Sequence, residues 1–187
     1  MTKTNLDDIE KAINNDGIVL LLSNSENIEK VKLEMLEKFT EDNKMSVIYV
    51  SITKPYGSIT DILGEKGIDT DEIFFIDCMS KAQETDAAIR AKNCVFIDPR
   101  NLTNISIAIS EAVENLPDDE EKLVVFDTLS ALRVYNEDKP LQQFSQFLTS
   151  KMRNWDVKSV ILTLEEEMDD DVVARVSQFC DCQIHTG

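Results

Sequence analysis

No glycine-rich loop ending in Lys-Ser/Thr occurs in this chain of 187 residues, which contains only five glycines. Its absence removes the backbone N–H cradle and the lysine that hold a nucleotide's phosphates in that motif. Basic residues are also short, 19 Lys and Arg against 36 Asp and Glu for a net charge of -17. Each contact to a nucleic-acid backbone needs a Lys or Arg, so no DNA or RNA partner is expected. The four cysteines, Cys78, Cys94, Cys180 and Cys182, show no Cys-x-x-Cys spacing, and His185 is the single histidine. That pattern excludes the usual cysteine–histidine metal centre and fits a reduced, cytoplasmic setting. His185 is expected on the surface of a strand. No apolar run approaches the roughly 20 residues a membrane span requires, and no charged start leads into one, so no membrane partner is expected.

What is present is alternation. Leu6, Ile9 and Ile13 recur at helical spacing behind Thr4 and Asn5, and Gly17 ends that helix. Short apolar runs follow at 18–22, 46–51, 73–76, 95–97, 123–126 and 160–164, each long enough for a buried strand. Between them lie helical stripes: Ile28, Val31, Met35 and Phe39; Leu102, Ile105, Ile109, Val113 and Leu116; Leu141, Phe144, Leu148 and Met152 behind Pro140; and Val172, Val176 and Phe179. The phenylalanines and methionines in these stripes read as core. Gly64 and Gly67 bracket the end of a short helix expected to start near Ser58, with Asp61 as a capping-box partner. The pattern predicts one domain over 1–187, an α/β fold with a doubly wound, mostly parallel sheet and helices on both faces.

Two places bear on chemistry. The run Lys122 to Phe126 delivers Asp127 to a strand's carboxyl end, where open α/β sheets place their ligands. The first strand leads into Ser23-Asn24-Ser25-Glu26-Asn27-Ile28-Glu29-Lys30, the strand–loop–helix setting of a phosphate site. Laid on Gly-x4-Gly-Lys-Ser/Thr, the two glycines become Ser23 and Ile28, the lysine Glu29, and the hydroxyl Lys30. At an effective dielectric of about 20, a unit charge about 4 Å from another is worth roughly 4 kcal/mol, so reversing the lysine's sign costs several decades of affinity. The helix N-terminus keeps a partial positive charge, which leaves Ser23, Asn24, Ser25, Asn27, Glu29 and Lys30 as a weak anion site.

The chain resembles the RecA-like ATPases of the KaiC and RadA type over nearly its whole length. The resemblance rests on Leu123-Val124-Val125-Phe126-Asp127-Thr128-Leu129-Ser130-Ala131-Leu132, on Val47 to Ser51, and on Val157 to Leu164. It implies a three-layer fold, ATP hydrolysis coupled to ring or filament assembly, Asp127 as the metal-site aspartate, and a water-activating acid just after the second strand. Here Ser51 continues as Ile52-Thr53-Lys54, with no carboxylate. The expectation is therefore a non-catalytic domain without a cofactor, acting through a protein partner or self-association in regulation or signalling. One alternative is an atypical ATPase that takes ATP and magnesium through its modified loop or through residues of another subunit.

A second alternative uses Asp77 and Asp98, which also end apolar strands, as Mg²⁺ ligands of a phosphotransfer enzyme together with Asp127. Against it stands the reading that each aspartate caps a turn or helix. Arg133 is read as an ordinary surface contact, with a phosphate or partner carboxylate as the other option. The acidic runs 165–167 and 169–171 are read as helix-end charges or as a docking edge, and Trp155 as a loop anchor.

Overall fold

A computed structural model describes residues 6–40, 45–82 and 92–186. Thr4 and Asn5 lie outside these residues. Seven strands are present: β1 (Ile18–Ser23), β2 (Met45–Ser51), β3 (Ile73–Asp77), β4 (Cys94–Phe96), β5 (Glu121–Asp127), β6 (Lys158–Leu164) and β7 (Cys182–Thr186). They form one sheet in the order β4-β3-β2-β5-β6-β1-β7, and all six pairings are parallel. Six strands fall where the apolar runs predict them. β7 was not among those runs, because only Ile184 and Thr186 are buried along it and its sequence is polar. His185 is on its exposed side, as expected.

The helices are α1 (Leu6–Asp16), α2 (Ile28–Thr40), α3 (Tyr56–Glu65), α4 (Met79–Ala82), α5 (Leu102–Asn115), α6 (Asp138–Asn154) and α7 (Asp170–Ser177). Strand residues alternate between two cores, as period-2 side chains must. Val47, Tyr49, Leu123 and Val125 pack with Ile9 and Ile13 of α1, Met35 and Phe39 of α2, and Ile59 and Leu63 of α3. Ile48, Val50, Val124 and Phe126 pack with Ile105 and Ile109 of α5, Phe144 and Leu148 of α6, and Val172 and Val176 of α7. The result is three layers, with each buried Leu, Ile or Phe side chain contributing about 1.5–3 kcal/mol.

Three local expectations need correction. α3 begins at Tyr56 and not near Ser58, and Asp61 makes no capping box; the Tyr56 N–H instead donates to Asp77 Oδ2 at 2.8 Å. A distant carboxylate at the end of β3 thus replaces the local cap. Phe179 lies beyond α7, which closes at Ser177, so the fourth stripe is shorter than its apolar spacing indicated. α4 is a single turn that carries too few residues for a periodic signal. Gly17 adopts φ +88 between α1 and β1, a left-handed conformation that favours glycine. No helix among the described residues is long and apolar enough to cross a membrane.

Candidate functional site

Asp127 is the last residue of β5 and shares its face with Leu123 and Val125, the face that α2 covers. Its register partner on β2 is Ser51, so Tyr49, two residues back, shares that face. α2 carries Lys32 on its apolar stripe, four residues after Ile28 and four before Leu36. Side chains four apart lie one above the other on a helix, so the lysine is directed into the core. It is 1% exposed.

The Lys32 Nζ donates to Asp127 Oδ2 at 2.9 Å and to Glu29 Oε1 at 2.7 Å. Tyr49 also donates its hydroxyl to Asp127 Oδ2, and the Thr53 hydroxyl lies 3.3 Å from the same oxygen. Lys54 closes the outer side by pairing with Glu29 Oε2 at 2.7 Å. The chain Asp127–Lys32–Glu29–Lys54 therefore alternates in sign from core to surface. Asp127 Oδ1 is buried without a hydrogen-bond partner. The peptide that follows, Asp127–Thr128, is cis.

Burial alone would lower the Lys32 pKa, but Asp127 and Glu29 outweigh it and hold the ammonium above its ordinary value. Burial and then Asp127 raise the Tyr49 phenol well above its usual range, so it stays a proton donor. Burial raises the Glu29 pKa, but Lys32 and Lys54 outweigh it and bring it below its ordinary 4.5. The signs fix a pH window. Glu29's contribution is present above about 4.5 and is lost as pH falls through its lowered pKa; that of Lys32 is present below about 10.5 and is lost at higher pH. Urea midpoints measured between pH 7 and pH 3 should show the wild type converging on Glu29→Gln in acid. A gap that persists unchanged at pH 3 contradicts this.

The loop after β1 is tied to the chain itself. The Ser23 hydroxyl donates to the Thr186 carbonyl at 3.2 Å. The Asn24 carbonyl accepts the N–H groups of Asn27 and Ile28, at 3.3 and 3.1 Å, and its side-chain oxygen accepts the Asn27 N–H at 2.9 Å. Ser25 donates both its N–H and its hydroxyl to Glu166, at 3.1 and 3.3 Å. Ile28 is buried in the core under α2. Lys30, three-quarters exposed, pairs only loosely with Glu34 at 3.7 Å. Of the residues proposed from sequence, Glu29 and Asp127 are brought together, while Ser23, Asn24, Ser25 and Asn27 form a separate turn and Lys30 points to solvent. Lys32, Tyr49 and Glu166 were missed. For Lys32 a signal existed: a lone charge on an otherwise apolar helical stripe.

The remaining candidates have structural partners. Asp77 accepts from the N–H groups of Tyr56, Met79 and Ser80 and from the Ser80 hydroxyl. Ser51 is the register partner of both Asp77 and Asp127, which puts their Cα atoms two strand spacings apart, about 9–10 Å. Asp98 binds the Arg100 guanidinium at 2.8 Å. These placements do not assemble the three aspartates at one centre, and among the described residues no three His, Cys, Asp or Glu side chains are placed to hold a metal ion.

Arg133 binds Asp138 at 2.8 Å and Asp169 at 2.9 Å, tying the start of α6 to the residue before α7. Asp170 and Asp171 occupy the first turn of α7, where the helix dipole favours them. Glu165 meets His185 at 2.5 Å. Trp155, half-buried, closes α6 against the core. The cysteines are free thiols. Burial pushes Cys94 and Cys180 up to about 12 and Cys78 higher still, so they are poor nucleophiles.

An all-parallel seven-stranded sheet between two helical layers, with an aspartate at the end of a central strand, defines the RecA-like ATPase fold class. The solved structures that resemble the chain are of this class. The KaiC-like protein PH0186 of Pyrococcus horikoshii aligns with TM-score 0.58 and 13% identity over 80% of this chain and 62% of its own. A DnaB-like ATPase domain aligns with TM-score 0.59 and 15% identity over 91% of this chain and 69% of its own. Protein PH0321 of Pyrococcus horikoshii, solved in complex with an unknown peptide, aligns with TM-score 0.71 and 13% identity over 94% of this chain and 82% of its own. At these identities the likeness is one of fold. This chain spans about three-fifths of the KaiC-like protein. Residues 20–186 match the model of DUF7504, a family of unknown function, and the chain belongs to that family. No curated protein matches it.

Proposed function

We propose that this chain is a RecA/KaiC-like domain that does not hydrolyse ATP and acts through protein contacts, by self-association or with a protein partner, in regulation or signalling. The observation that carries this reading is the Lys32 ammonium seated on Asp127 Oδ2, where the resemblance puts a metal ion. Magnesium-bound ATP does not fit the residues present. The metal-side oxygen already accepts Lys32, Tyr49 and Thr53, and Glu29 stands beside it with negative charge. At the loop, the Ser25 N–H that a phosphate would take donates to Glu166. An incoming polyphosphate would meet two carboxylates and few free donors, which is repulsion without compensation.

Two further points support a role in protein binding. Ile107 and Phe147 are each 49% exposed along a groove of about 530 Å³ between α5 and α6, an apolar face suited to a protein segment. PH0321 was solved with a peptide bound. The net charge of -17 opposes a nucleic-acid partner, and the free thiols agree with a reducing cytoplasmic setting. The test is calorimetry and turnover with Mg-ATP on the purified protein. The expected result is no binding heat at millimolar nucleotide and no phosphate release. Magnesium-dependent hydrolysis that disappears in Asp127→Asn sinks the reading.

A further inference from the structure

We infer that Lys32, Asp127 and Glu29 form a cation-binding site whose occupant is covalently tethered, the Lys32 ammonium serving as the resident cation. The ammonium is held between two carboxylates, 2.9 Å from Asp127 Oδ2 and 2.7 Å from Glu29 Oε1, with the Thr53 and Tyr49 hydroxyls grouped on the same Asp127 oxygen. These are oxygen donors of the kind that hard cations take. A second observation points the same way: Asp127 Oδ1 is buried with no partner, although a buried carboxylate oxygen ordinarily accepts at least one hydrogen bond. A carboxylate left half-satisfied around a single ammonium has coordination to spare, as it would around an ion taking more ligands than a lysine has protons.

Lys32 reaches this position because it projects from the buried stripe of α2 onto the strand-end aspartate. Its length, not its exposure, decides the match: Lys30, two residues earlier, is on the solvent side. Shortening the side chain at 32 removes the tethered cation and leaves the two carboxylates facing the vacated volume. The freed site takes a divalent cation of the oxygen-binding class, Mg²⁺ or Mn²⁺. The inference concerns the wild-type occupant of the site and does not depend on the identity of a protein partner.

The experiment is thermal denaturation of the full chain, wild type and Lys32→Ala, with MnCl2 or MgCl2 titrated against NaCl of matched ionic strength. Lys32→Ala is expected to gain roughly 5–10 °C in Tm at free Mn²⁺ about 100 times its Kd, with wild type shifting by less than about 1 °C. Adding Asp127→Asn to Lys32→Ala should erase the gain. Equal shifts in wild type and Lys32→Ala place the ions on the acidic surface and overturn the inference, as does no shift in either. Where Lys32→Ala does not fold unaided, its refolding yield with and without MnCl2 is read instead, with Lys32→Ser as a second variant. Recovery of folded protein only with the cation supports the site; recovery with neither variant overturns it. Failure here is distinct from failure of the proposed function, which shows as ATP turnover by the wild type.

Discussion

In cation-free buffer, Lys32→Ala is expected to lose about 3–5 kcal/mol of folding stability, the cost of leaving one partner of a buried ion pair uncompensated. At this chain length that lowers Tm by roughly 6–20 °C. The expectation follows from burial: Lys32 is 1% and Asp127 0% exposed, and Asp127 Oδ1 already lacks a partner, so the abandoned carboxylate has no solvent to turn to. Asp127→Ala should cost a similar amount, because it strands the ammonium and the Tyr49 hydroxyl. Replacing both partners at once, Lys32→Met with Asp127→Leu, removes both buried charges and should recover about half of the single-variant loss or more. Urea denaturation of the four proteins closes the double-mutant cycle. A single-variant loss under about 1 kcal/mol, typical of a solvent-exposed pair, contradicts the buried-pair account.

Asp77→Ala should lose roughly 2–4 kcal/mol, since four donors are left without their acceptor. Three are backbone N–H groups, of Tyr56 at 2.8 Å, Met79 at 2.7 Å and Ser80 at 2.9 Å, and the fourth is the Ser80 hydroxyl at 2.5 Å. The starts of both α3 and α4 depend on this one carboxylate. Asp77→Asn keeps an acceptor oxygen and should cost less. Hydrogen exchange at the Tyr56 and Met79 amides locates the effect, and those two should accelerate first. A cost below about 1 kcal/mol with unchanged exchange contradicts the cap and returns Asp77 to the carboxylates available for chemistry.

These two sites show how far the linear pattern reaches. The strands of the inner sheet are apolar runs bounded by polar residues, and a strand buried on both faces has no other way to be written. Asp127 and the altered loop residues Ser23, Ile28 and Glu29 are legible because they are defined by position relative to a strand end. Lys32 was legible only as an anomaly on the α2 stripe, and its partner lies 95 residues away. The cap on α3 escaped for the same reason. A local capping box at Ser58 and Asp61 is a short-range rule, whereas Asp77 is 21 residues from the N–H it accepts. β7 escaped because an edge strand buries only alternate residues, and its polar side chains hide the period over five positions.

The amino-acid sequence by itself determined the alternation of strands and helices, which faces are apolar, the aspartate at the end of β5 and the loss of glycines and lysine from the loop after β1. Each of these depends on neighbours within a turn or a strand, where backbone geometry sets the side-chain period. Only the tertiary structure decided that the Asp127 carboxylate is answered by an ammonium from α2, that Glu166 takes the Ser25 N–H, and that Asp77 starts α3. Those pairings depend on strand order and on the register of β5 against β2, which bring groups far apart in the chain to hydrogen-bonding distance. The aspartate is written in the sequence, and what it binds is written in the fold.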